Sequence, residues 1–492
     1  MNPVINIDIS WLRFYPRELL EAVKNTAREF ELQVYVVGGA VRDGLLLRAE
    51  TRDLDLSVVK GGVNFARKLA LALGGTFVPL DEKEGIARVV WQGYDIDLAD
   101  FKDGVESIEE DLGKRDFTVN AMAVKFPSEP LQTLSSCLID PAGGSGDLEK
   151  GIIRAVSKRT FRDDPLRLLR AYRFQATLGF SLAEATEREI EENVHLVDEV
   201  AAERISYELD LIMASNRSCR IFTSIGKAGF LRHILPEMEK GAGMEQPAGH
   251  HLDVREHNLA ALCAMEEVLR DPGKYFREEG VLRKYLQQRG IALILKWAAF
   301  FHDLGKPDTM AVRGDKITFY NHDQCGADLV TKIGIRLRWS KDRTGRISRL
   351  VKHHMRPFHL SNVRRKEGVT TRACLRLVKT AADDLPGLFL LALADSLASQ
   401  GSGRPVNMEQ EISELFSEVC SIVDREVTPG LASPRLISGR DLIEQGLTPG
   451  PVFKDILQEA EEAQVAGEIS DREEALAWLQ NHIGQYYPEL VR

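Results

Sequence analysis

The sequence predicts an α/β domain at the start of the chain, followed by a long region that is helical almost throughout. Up to about residue 153, short segments of strand-forming residues alternate with helical segments. From Asp164 onward, apolar residues recur at intervals of three and four, which is the pattern of amphipathic helices. At 492 residues, the chain is long enough for about three domains.

Within the α/β region, strands are predicted at 34–37, 54–59, 87–91 and 94–98, and helices at 65–73 and from Asn120 onward. Segments rich in Gly, Pro and polar residues at 241–249 and 400–405 predict domain boundaries. With the end of the α/β region, they divide the chain into the following parts: residues 1–153, 154–240, 241–400 and 401–492.

The net charge of −10 argues against a uniformly basic nucleic-acid-binding surface. Two local runs are nevertheless basic: seven Lys/Arg against two acids at 154–173, and fifteen against two at 332–379. A solvated helix face is the simpler interpretation of either run alone. Two such runs in an acidic chain favour a surface that contacts a phosphate backbone.

The chain is predicted to be cytoplasmic and without a membrane partner. Its six cysteines are scattered without a CxxC pair, which favours reduced thiols over a disulfide framework. The N-terminus lacks the basic start and apolar core of a signal peptide. The apolar run at 291–301 is too short to span a bilayer and is interrupted by Lys296.

Two aspartates alternate with leucines in one predicted strand. Asp53 and Asp55 flank Leu54, so the two-residue period of a strand places both carboxylates on one face. Adjacent hard oxygen ligands suit Mg²⁺, which keeps its other positions for water and substrate phosphates. The pair predicts a metal-dependent phosphoryl-transfer site, although Asp-x-Asp is also common in surface strands and turns. Asp97, in the predicted strand at 94–98, is a candidate third carboxylate.

A glycine turn and a second motif accompany this pair. Gly38 and Gly39 follow an apolar strand and allow backbone N–H groups to approach phosphate oxygens, while Arg42 adds positive charge. The motif KRDFTVNAMA places Arg115 and Asp116 before an apolar run that is predicted to be helical. Asp116 is therefore either a ligand-binding residue or the N-cap of that helix.

Asp164 and Arg167 are predicted to be neighbours three residues apart on one helix. A carboxylate acceptor beside a guanidinium donor matches the edge of cytosine and the similar edge of adenine, whereas uracil and guanine present a carbonyl in place of the amino group. Such a pair selects C and A without a template. Alternatively, Pro165 at a first helical position makes Asp164 an ordinary N-cap.

Eight of the eleven histidines fall between residues 250 and 359. His257 lies in a helical segment, His302 and Asp303 end an apolar run, and Asp395 lies in a second apolar helix. Imidazole and carboxylate form the donor set expected of a metal phosphohydrolase centre, although a single such histidine is more often a core residue. Candidates for a second metal position are His322, His353 and His354.

Several ordered motifs resemble one known family. GGAVRD, DLD, RDFTVNAMA and DPAGG, followed by FRDDPLRLLRAYRF and ERISYEL, are similar to the head and neck of class II tRNA nucleotidyltransferases and bacterial poly(A) polymerases. The order His…His-Asp…Asp is similar to the HD phosphohydrolase superfamily, and some bacterial tRNA nucleotidyltransferases carry such a domain. The segment LISGRDLIEQGLTPGPVFKDIL resembles their C-terminal tRNA-binding module.

The resemblance implies a polymerase-β-like nucleotidyltransferase head (1–153), an all-α neck with the base-reading motif (154–240), an HD body (241–400) and a helical tRNA-binding tail (401–492). It implies that Asp53 and Asp55 are catalytic and bind Mg²⁺. The residues implied to bind the nucleotide are Gly38, Gly39, Arg42, Arg115, Asp116, Asp164, Arg167, Arg170 and Arg173. The residues implied to bind a divalent metal in the HD body are His257, His302, Asp303 and Asp395. The chain departs from the base-reading motif in having Asp163 where glutamate is usual.

The implied activity is template-independent addition of CC or CCA to the 3′ end of tRNA from CTP and ATP, with release of pyrophosphate. Two alternatives stay open: a bacterial poly(A) polymerase, and an HD metal phosphohydrolase whose head only binds RNA. In full CCA-adding relatives, a flexible loop lies between the metal carboxylates and the RDFT motif, and CC-adding relatives lack it. Only KDGVESI and a short acidic stretch lie there in this chain, which favours addition of CC.

Overall fold

The computed structural model describes residues 5–48, 52–127, 135–247, 250–314, 316–403 and 405–488. The chain forms two compact units. Unit 1 comprises Met1–Ile212 and Ile225–His233, and unit 2 comprises Met213–Ser224 and Ile234–Arg492.

A mixed eight-stranded sheet is the framework of unit 1. Its strands are β1 (Ile5–Asp8), β2 (Tyr35–Val37), β3 (Asp53–Val58), β4 (Thr76–Asp81), β5 (Ile86–Trp91), β6 (Tyr94–Asp100), β7 (Ala123–Lys125) and β8 (Ser135–Ile139). They are ordered β1-β8-β7-β2-β3-β6-β5-β4. The central pair of β3 and β6 is parallel, with Asp55 in register with Asp97, and the other pairs are antiparallel.

Helices pack around this sheet and continue beyond it. They are α1 (Arg17–Glu29), α2 (Gly38–Leu45), α3 (Gly62–Leu73), α4 (Ile108–Gly113), α5 (Gly144–Lys150), α6 (Thr160–Asp163), α7 (Arg167–Leu178) and α8 (Glu184–Asn193). Two short strands, β9 (Ile152–Ile153) and β10 (Ser181–Leu182), pair in parallel. The unit boundaries fall within α9 (Ala202–Ala214), near the middle of α10 (Ser218–Lys227) and within α11 (Phe230–Ile234).

The four strands predicted near the N-terminus are confirmed as β2, β3, β5 and β6. The helix predicted from Asn120 onward is wrong: a 3₁₀ turn at Thr118–Asn120 is followed by strand β7. Residues of β7 pair with β2 on one side and β8 on the other, and Ala123 and Val124 are fully buried. A short apolar run of this kind fits a central strand as well as a helix, so its neighbours decide the outcome.

Unit 2 is almost entirely helical. Its helices are α12 (Pro236–Glu239), α13 (Val254–Arg270), α14 (Glu279–Leu286), α15 (Ile291–Phe301), α16 (Lys306–Thr309), α17 (His322–Arg336), α18 (Lys341–His353), α19 (Arg356–Glu367), α20 (Thr371–Ala381), α21 (Leu385–Ala398), α22 (Met408–Ile422), α23 (Thr428–Ala432), α24 (Gly439–Glu444), α25 (Val452–Val465) and α26 (Arg472–Tyr486). Within its described residues, the strands are the hairpin β11 (Ala311–Arg313) and β12 (Lys316–Thr318).

The most apolar helix, α15, carries Lys296 into the core of unit 2. Lys296 is only 5% exposed, and its ammonium donates to the carbonyl oxygens of Met213 and Ser215 and to Glu266. These acceptors satisfy a buried charge that would otherwise be costly. Among the described helices, none is both long and apolar enough to cross a membrane.

Much of the basic run at 332–379 is neutralised inside unit 2. Arg346 and Arg349 share the buried carboxylate of Asp384. Further pairs join Arg336 to Glu237, Arg364 to Glu414 and Glu418, Arg365 to Glu411, Arg372 to Glu468, Arg376 to Glu462, and Lys379 to Glu461. These ion pairs lower the positive charge that the run presents to a phosphate backbone. A local charge count does not register them, because the acidic partners come from distant segments.

The prediction of reduced thiols is wrong for one pair of cysteines. Cys219 on α10 and Cys263 on α13 form a disulfide, with their Cα atoms 4.8 Å apart. The two residues are 44 positions apart, so no local spacing indicates the bond. Cys325, Cys374 and Cys420 are free.

Candidate functional site

One cleft in unit 1 gathers every residue predicted to take part in nucleotidyl transfer. Its volume is about 570 Å³. The predicted residues that border it are Gly38, Gly39, Arg42, Asp53, Asp55, Arg115, Asp116, Asp164, Arg167, Arg170 and Arg173. Bordering residues that the sequence did not single out include Lys102, Asn120, Phe174 and Arg204.

The carboxylates of β3 form the acidic wall of the cleft. Leu54 and Leu56 point into the core, so the predicted alternation is confirmed, and Asp53 and Asp55 lie on the other face. Burial and the neighbouring Asp95 raise the pKa of Asp53. Burial also raises the pKa of Asp55, with Asp97 adding to the effect and Arg115 opposing it. Crowded carboxylates whose ionised forms are disfavoured are a suitable donor set for a divalent cation.

The glycine turn lies directly against Asp55. Gly38 directly follows β2 and starts α2 with a φ of +65°. A Cβ atom on Gly38 would lie 3.1 Å from Nη1 of Arg115 and 3.4 Å from Oδ2 of Asp55, and one on Gly39 would lie 3.3 Å from the same Oδ2. The two glycines therefore leave backbone, rather than side chain, facing the carboxylate.

Arg42 and Asp116 belong to one hydrogen-bond network. Arg42 donates through Nε and Nη2 to Asp43 and through Nη1 to Asn120 Oδ1, at 2.9, 2.8 and 2.6 Å. Asn120 in turn donates to Asp116, and Arg170 donates to Asp116 through Nε and Nη2 at 3.0 and 2.6 Å. Burial alone would raise the pKa of Asp116, but Arg170 outweighs it and holds that pKa well below its ordinary value. The helix-capping alternative for Asp116 is wrong, because the segment after it is a 3₁₀ turn capped by Phe117 and then strand β7, and not the predicted α-helix.

The two base-reading candidates are not on one helix, which corrects their predicted placement. Asp164 is extended, with a φ of −149°, and α7 begins at Arg167. Oδ1 of Asp164 accepts from the backbone N–H of Leu166 at 3.2 Å. The N-cap of α7 is Leu166, so the N-cap alternative for Asp164 is wrong. Oδ2 of Asp164 lies 3.1 Å from Nη2 of Arg204.

Arg167 is buried and bonded to backbone. It donates to the carbonyl oxygens of Lys114, Thr160 and Arg115 at 2.9, 3.3 and 3.4 Å. It thus ties α7 to the segment that carries Arg115 and Asp116. Both Asp164 and Arg167 border the cleft.

Glu208 was missed by the sequence analysis. It is buried on α9, with Oε2 2.8 Å from Nε of Arg173 and Oε1 3.8 Å from Nη1 of Arg170. The guanidinium of Arg173 also lies 3.9 Å from the centre of the Phe174 ring. In ERISYEL, Arg204 and Glu208 are four residues apart and share one helix face, but this local pattern does not indicate a partner on α7.

A second constellation of metal-binding side chains lies in unit 2. His257, His302 and Asp395 form one group, and Asp303, His322 and His354 form another, with the potential ligand atoms of each group within 4.8 Å of one another. All the HD residues predicted from the sequence are therefore brought together. His353 belongs to neither group, so its predicted place in a second metal position is wrong.

Asp303 lies between the two groups. Its Oδ2 is 3.4 Å from Nε2 of His257 and 3.3 Å from Nε2 of His302. Its Oδ1 is 3.4 Å from Nε2 of His322 and 3.7 Å from Nε2 of His354. Burial lowers the pKa of His302, but Asp303 and Asp395 outweigh this effect and raise it to about 10. Buried carboxylates and imidazoles in this arrangement fit a divalent metal centre.

Families of known domains match four stretches of the chain. They are the Poly A polymerase head domain at 34–154, the probable RNA- and SrmB-binding site of polymerase A at 179–241, the HD domain at 254–400, and the tRNA nucleotidyltransferase domain 2 family at 433–479.

Similar proteins extend the match over nearly the full chain. An A-adding tRNA nucleotidyltransferase from Deinococcus radiodurans is 32% identical over 90% of this chain and 94% of its own length. A CC-adding tRNA nucleotidyltransferase from Synechocystis sp. is 30% identical over 91% of this chain and 93% of its own length. A solved Thermotoga maritima CCA-adding enzyme in complex with tRNA has the same fold, with a TM-score of 0.62 and 23% sequence identity. The match covers 97% of this chain and 99% of that one. The polymerase-β-like head, the helical body and the HD domain of this chain are those of a nucleotidyltransferase, and the chain belongs to the tRNA nucleotidyltransferase family with a poly(A) polymerase head.

Proposed function

We propose that this chain adds nucleotides to the 3′ end of tRNA without a nucleic-acid template and releases pyrophosphate. The observation that carries the proposal is the single cleft in which paired carboxylates face a glycine turn and a cluster of arginines. Binding alone would not need Asp53 and Asp55 side by side. The names of the full-length relatives from Deinococcus radiodurans and Synechocystis sp. support tRNA as the substrate.

Asp53 and Asp55 are the proposed ligands of Mg²⁺, which when bound supplies positive charge for the reacting phosphate and activates the 3′ hydroxyl. Gly38 and Gly39 leave room for phosphate oxygens beside Asp55. The arginines of the cleft provide positive charge along the triphosphate, and their positions are fixed by acidic partners: Arg42 by Asp43, Arg170 by Asp116, and Arg173 by Glu208. Asp116 is the proposed contact to the ribose.

Base selection is proposed to rest on Asp164 and Arg167. Asp164 borders the cleft with its carboxylate held by Arg204 and by the backbone N–H of Leu166. Arg167 uses part of its donor capacity on backbone carbonyls. A carboxylate acceptor suits the amino group shared by cytosine and adenine. The proposed substrates are therefore CTP and ATP.

The connection from β6 to the RDFT motif is folded and anchored, which supports a site that does not reshape. The backbone N–H of Lys102 donates to Asp111 at 2.9 Å, and Lys114 pairs with Asp103 at 2.8 Å. Arg115 pairs with Asp111 at 3.1 Å. A connection held in this way is not suited to the movement that would reshape the nucleotide site from CTP to ATP. We therefore propose addition of CC, with the A-adding relative supporting addition of a single A as the second candidate.

The test uses three tRNA transcripts that end before CCA, after C and after CC, each with CTP alone, ATP alone and both. A CC-adding enzyme extends the first two by C and leaves the third unchanged with ATP. Addition of A to the third transcript alone supports the second candidate. Long tails of A on an RNA without tRNA shape identify a poly(A) polymerase, which is the rival activity.

A second activity is proposed for unit 2, where the HD cluster favours metal-dependent hydrolysis of a phosphoester. The proposed ligands are His257, His302, Asp303 and Asp395. Release of phosphate from phosphoester substrates by the Asp53→Asn variant, and its loss in a His302→Ala/Asp303→Ala variant, would test this activity apart from nucleotidyl transfer. No metal-dependent phosphate release from any nucleotide or RNA substrate would refute it.

The four-domain division at 1–153, 154–240, 241–400 and 401–492 also stays a proposal, supported by the family matches at 34–154, 254–400 and 433–479. A cytoplasmic location stays a prediction. The disulfide between Cys219 and Cys263 is more typical of oxidising compartments and does not support it.

A further inference from the structure

Two further carboxylates lie beside the aspartates of β3 on the same face of the sheet in unit 1. Strands β3 and β6 run parallel, with Asp53 in register with Asp95 and Asp55 in register with Asp97. The leucine and isoleucine residues that alternate with these aspartates are buried in the core, so all four carboxylates share the opposite face. Like charges on neighbouring strands repel each other, and this face therefore requires positive charge.

Arg88, on strand β5, brings positive charge to this face. It is in register with Asp97 on the neighbouring strand β6. Its Nε donates to Oδ1 of Asp97 at 2.7 Å and its Nη2 to Oδ2 at 2.8 Å, while its Nη1 donates to Oδ2 of Asp95 at 3.2 Å. The planar guanidinium thus engages both oxygens of Asp97 and one oxygen of Asp95.

A contribution to stability does not account for this arrangement. The side chains of Arg88, Asp95 and Asp97 are half-exposed, and ion pairs with that exposure stabilise a fold little. Their position is more informative, because Asp97 borders the nucleotidyl-transfer cleft together with Asp53 and Asp55. A cation held at Asp55 is attracted to the carboxylate of Asp97, whose two oxygens already accept hydrogen bonds from Arg88.

We propose that Arg88 and the divalent cation of the nucleotidyl-transfer site compete for the carboxylate of Asp97. This inference rests on the proposed binding of Mg²⁺ by Asp53 and Asp55. A cation that binds Asp97 must displace at least one hydrogen bond from Arg88, and Asp95 remains as a partner for the guanidinium. Arg88 therefore acts through Asp97 as a positioning residue, and it raises the Mg²⁺ concentration that nucleotide addition requires.

The test measures Mn²⁺ binding from the electron paramagnetic resonance signal of the free ion. All the full-length proteins carry His302→Ala and Asp303→Ala, so that the HD cluster does not contribute. Arg88→Ala should bind Mn²⁺ about fivefold more tightly than this parent, which is the effect of removing one unit charge at a distance of a few ångströms in water. The Mg²⁺ concentration for half-maximal nucleotide addition should fall by a similar factor. Arg88→Lys keeps the charge but cannot engage both oxygens, so its affinity should lie between the two, and it replaces Arg88→Ala if that variant does not fold.

Two controls separate competition at Asp97 from a general effect of charge. In an Asp97→Asn background, Arg88→Ala should change the Mn²⁺ affinity by less than about twofold, because the contested carboxylate is absent. Arg67→Ala is the matched control in the same unit. It also removes one positive charge, but the guanidinium of Arg67 lies 5.0 Å from the centre of the Phe77 ring. This variant should keep the affinity of the parent.

Unchanged or weaker Mn²⁺ binding in Arg88→Ala would overturn the competition, and so would an equal gain in the Asp97→Asn background. In either case, Mn²⁺ binding by the parent that is lost in Asp53→Asn/Asp55→Asn would leave the proposed nucleotidyl-transfer site intact. A parent without such binding would overturn the metal site on which both proposals rest.

Discussion

Arg204 forms an ion pair with Asp164 across 40 residues of sequence, with Nη2 of the arginine 3.1 Å from Oδ2 of the aspartate. Asp164 precedes α7, and Arg204 lies near the start of α9. The carboxylate proposed to read the base is therefore oriented by a residue outside the base-reading motif. Arg204 is proposed to act through Asp164 as a positioning residue.

Asp164→Ala should relax base selectivity more than it weakens nucleotide binding. Losing a hydrogen bond to a charged group costs roughly 1.5–3 kcal/mol, or about tenfold or more in discrimination. The measurement is kcat/KM for CTP, ATP, UTP and GTP on one tRNA. Arg204→Ala should show a smaller loss of selectivity with a stability change below about 1 kcal/mol, because the pair is half-exposed. Unchanged selectivity in an unstable Asp164→Ala protein would leave only the hydrogen bond to Leu166 as its role.

Gly38→Ala should abolish transfer, whereas Gly74→Ala should not. Both glycines have a left-handed φ, +65° and +63°, so each substitution should cost roughly 1–2 kcal/mol of stability. A Cβ on Gly38 crowds Arg115 and Asp55, but one on Gly74 has nothing within 4 Å. Thermal unfolding and single-turnover transfer assays measure the two effects. Equal activity in the two variants would contradict the role of the turn.

Site residues were predictable from the sequence wherever they belong to a short motif or a local alternation of residue types. The alternation of Asp53 and Asp55 with leucines and the glycine turn predicted correctly which side chains border the cleft. The pattern of histidines likewise predicted which residues form the HD cluster, except that it also included His353. A shift of one position along the chain turns a side chain in a different direction, so the ring of His354 reaches the HD cluster and that of His353 does not.

Contacts between distant segments were not predictable in the same way. The pairing of Glu208 with Arg173 depends on how α9 packs against α7, and neither residue's neighbours in sequence indicate it. The strand β7 was mistaken for a helix because its apolar residues fit both structures until β2 and β8 flank it. The acidic partners of the basic run at 332–379 also lie far from it in sequence, so these ion pairs were not predictable from the local charge pattern.

Asp55→Asn should eliminate transfer and stabilise the metal-free protein. Burial and Asp97 raise the pKa of Asp55, so its ionised form is disfavoured in the fold. Without divalent cations, the free energy of unfolding of the parent should therefore rise as the pH falls through this raised pKa. The variant lacks that ionisation and should show a weaker rise. Urea unfolding in EDTA at pH values from about 4 to 8, which lie above the ordinary carboxyl pKa, measures the difference.

His302→Ala combined with Asp303→Ala should leave nucleotide addition within about twofold of the parent, a difference below roughly 0.5 kcal/mol in activation free energy. The reason is that the HD cluster is formed within unit 2 and the nucleotidyl-transfer cleft within unit 1. The rate of CTP incorporation into tRNA is the measurement, with circular dichroism to confirm folding. A folded double variant that no longer adds nucleotides would contradict the separation of the two sites.

Arg170→Ala should destabilise unit 1 because it strands the carboxylate of Asp116, which is only 7% exposed. Removing one partner of a buried ion pair costs up to about 3–5 kcal/mol, and the partial exposure of Arg170 places the expected loss towards the lower value. Arg88→Ala is the matched control. Arg88 likewise donates through Nε and Nη2 to one aspartate, Asp97, but that pair is half-exposed, so its loss should cost below about 1 kcal/mol.

The pH dependence distinguishes a stranded charge from simple loss of packing at Arg170. In the parent, Arg170 overcomes the effect of burial and lowers the pKa of Asp116, so the pair's stabilisation is complete above the unfolded pKa of about 3.9 and is lost as the pH falls through the folded pKa. In Arg170→Ala, this arginine no longer opposes the effect of burial, so the pKa of Asp116 rises. Protonation of Asp116 then removes the buried, unpaired charge. The stability deficit of the variant should therefore shrink as the pH is lowered from 7 towards 4, and adding Asp116→Asn should recover part of it at pH 7. A deficit that is constant with pH and is not rescued by Asp116→Asn would show that Arg170 stabilises the fold through packing instead.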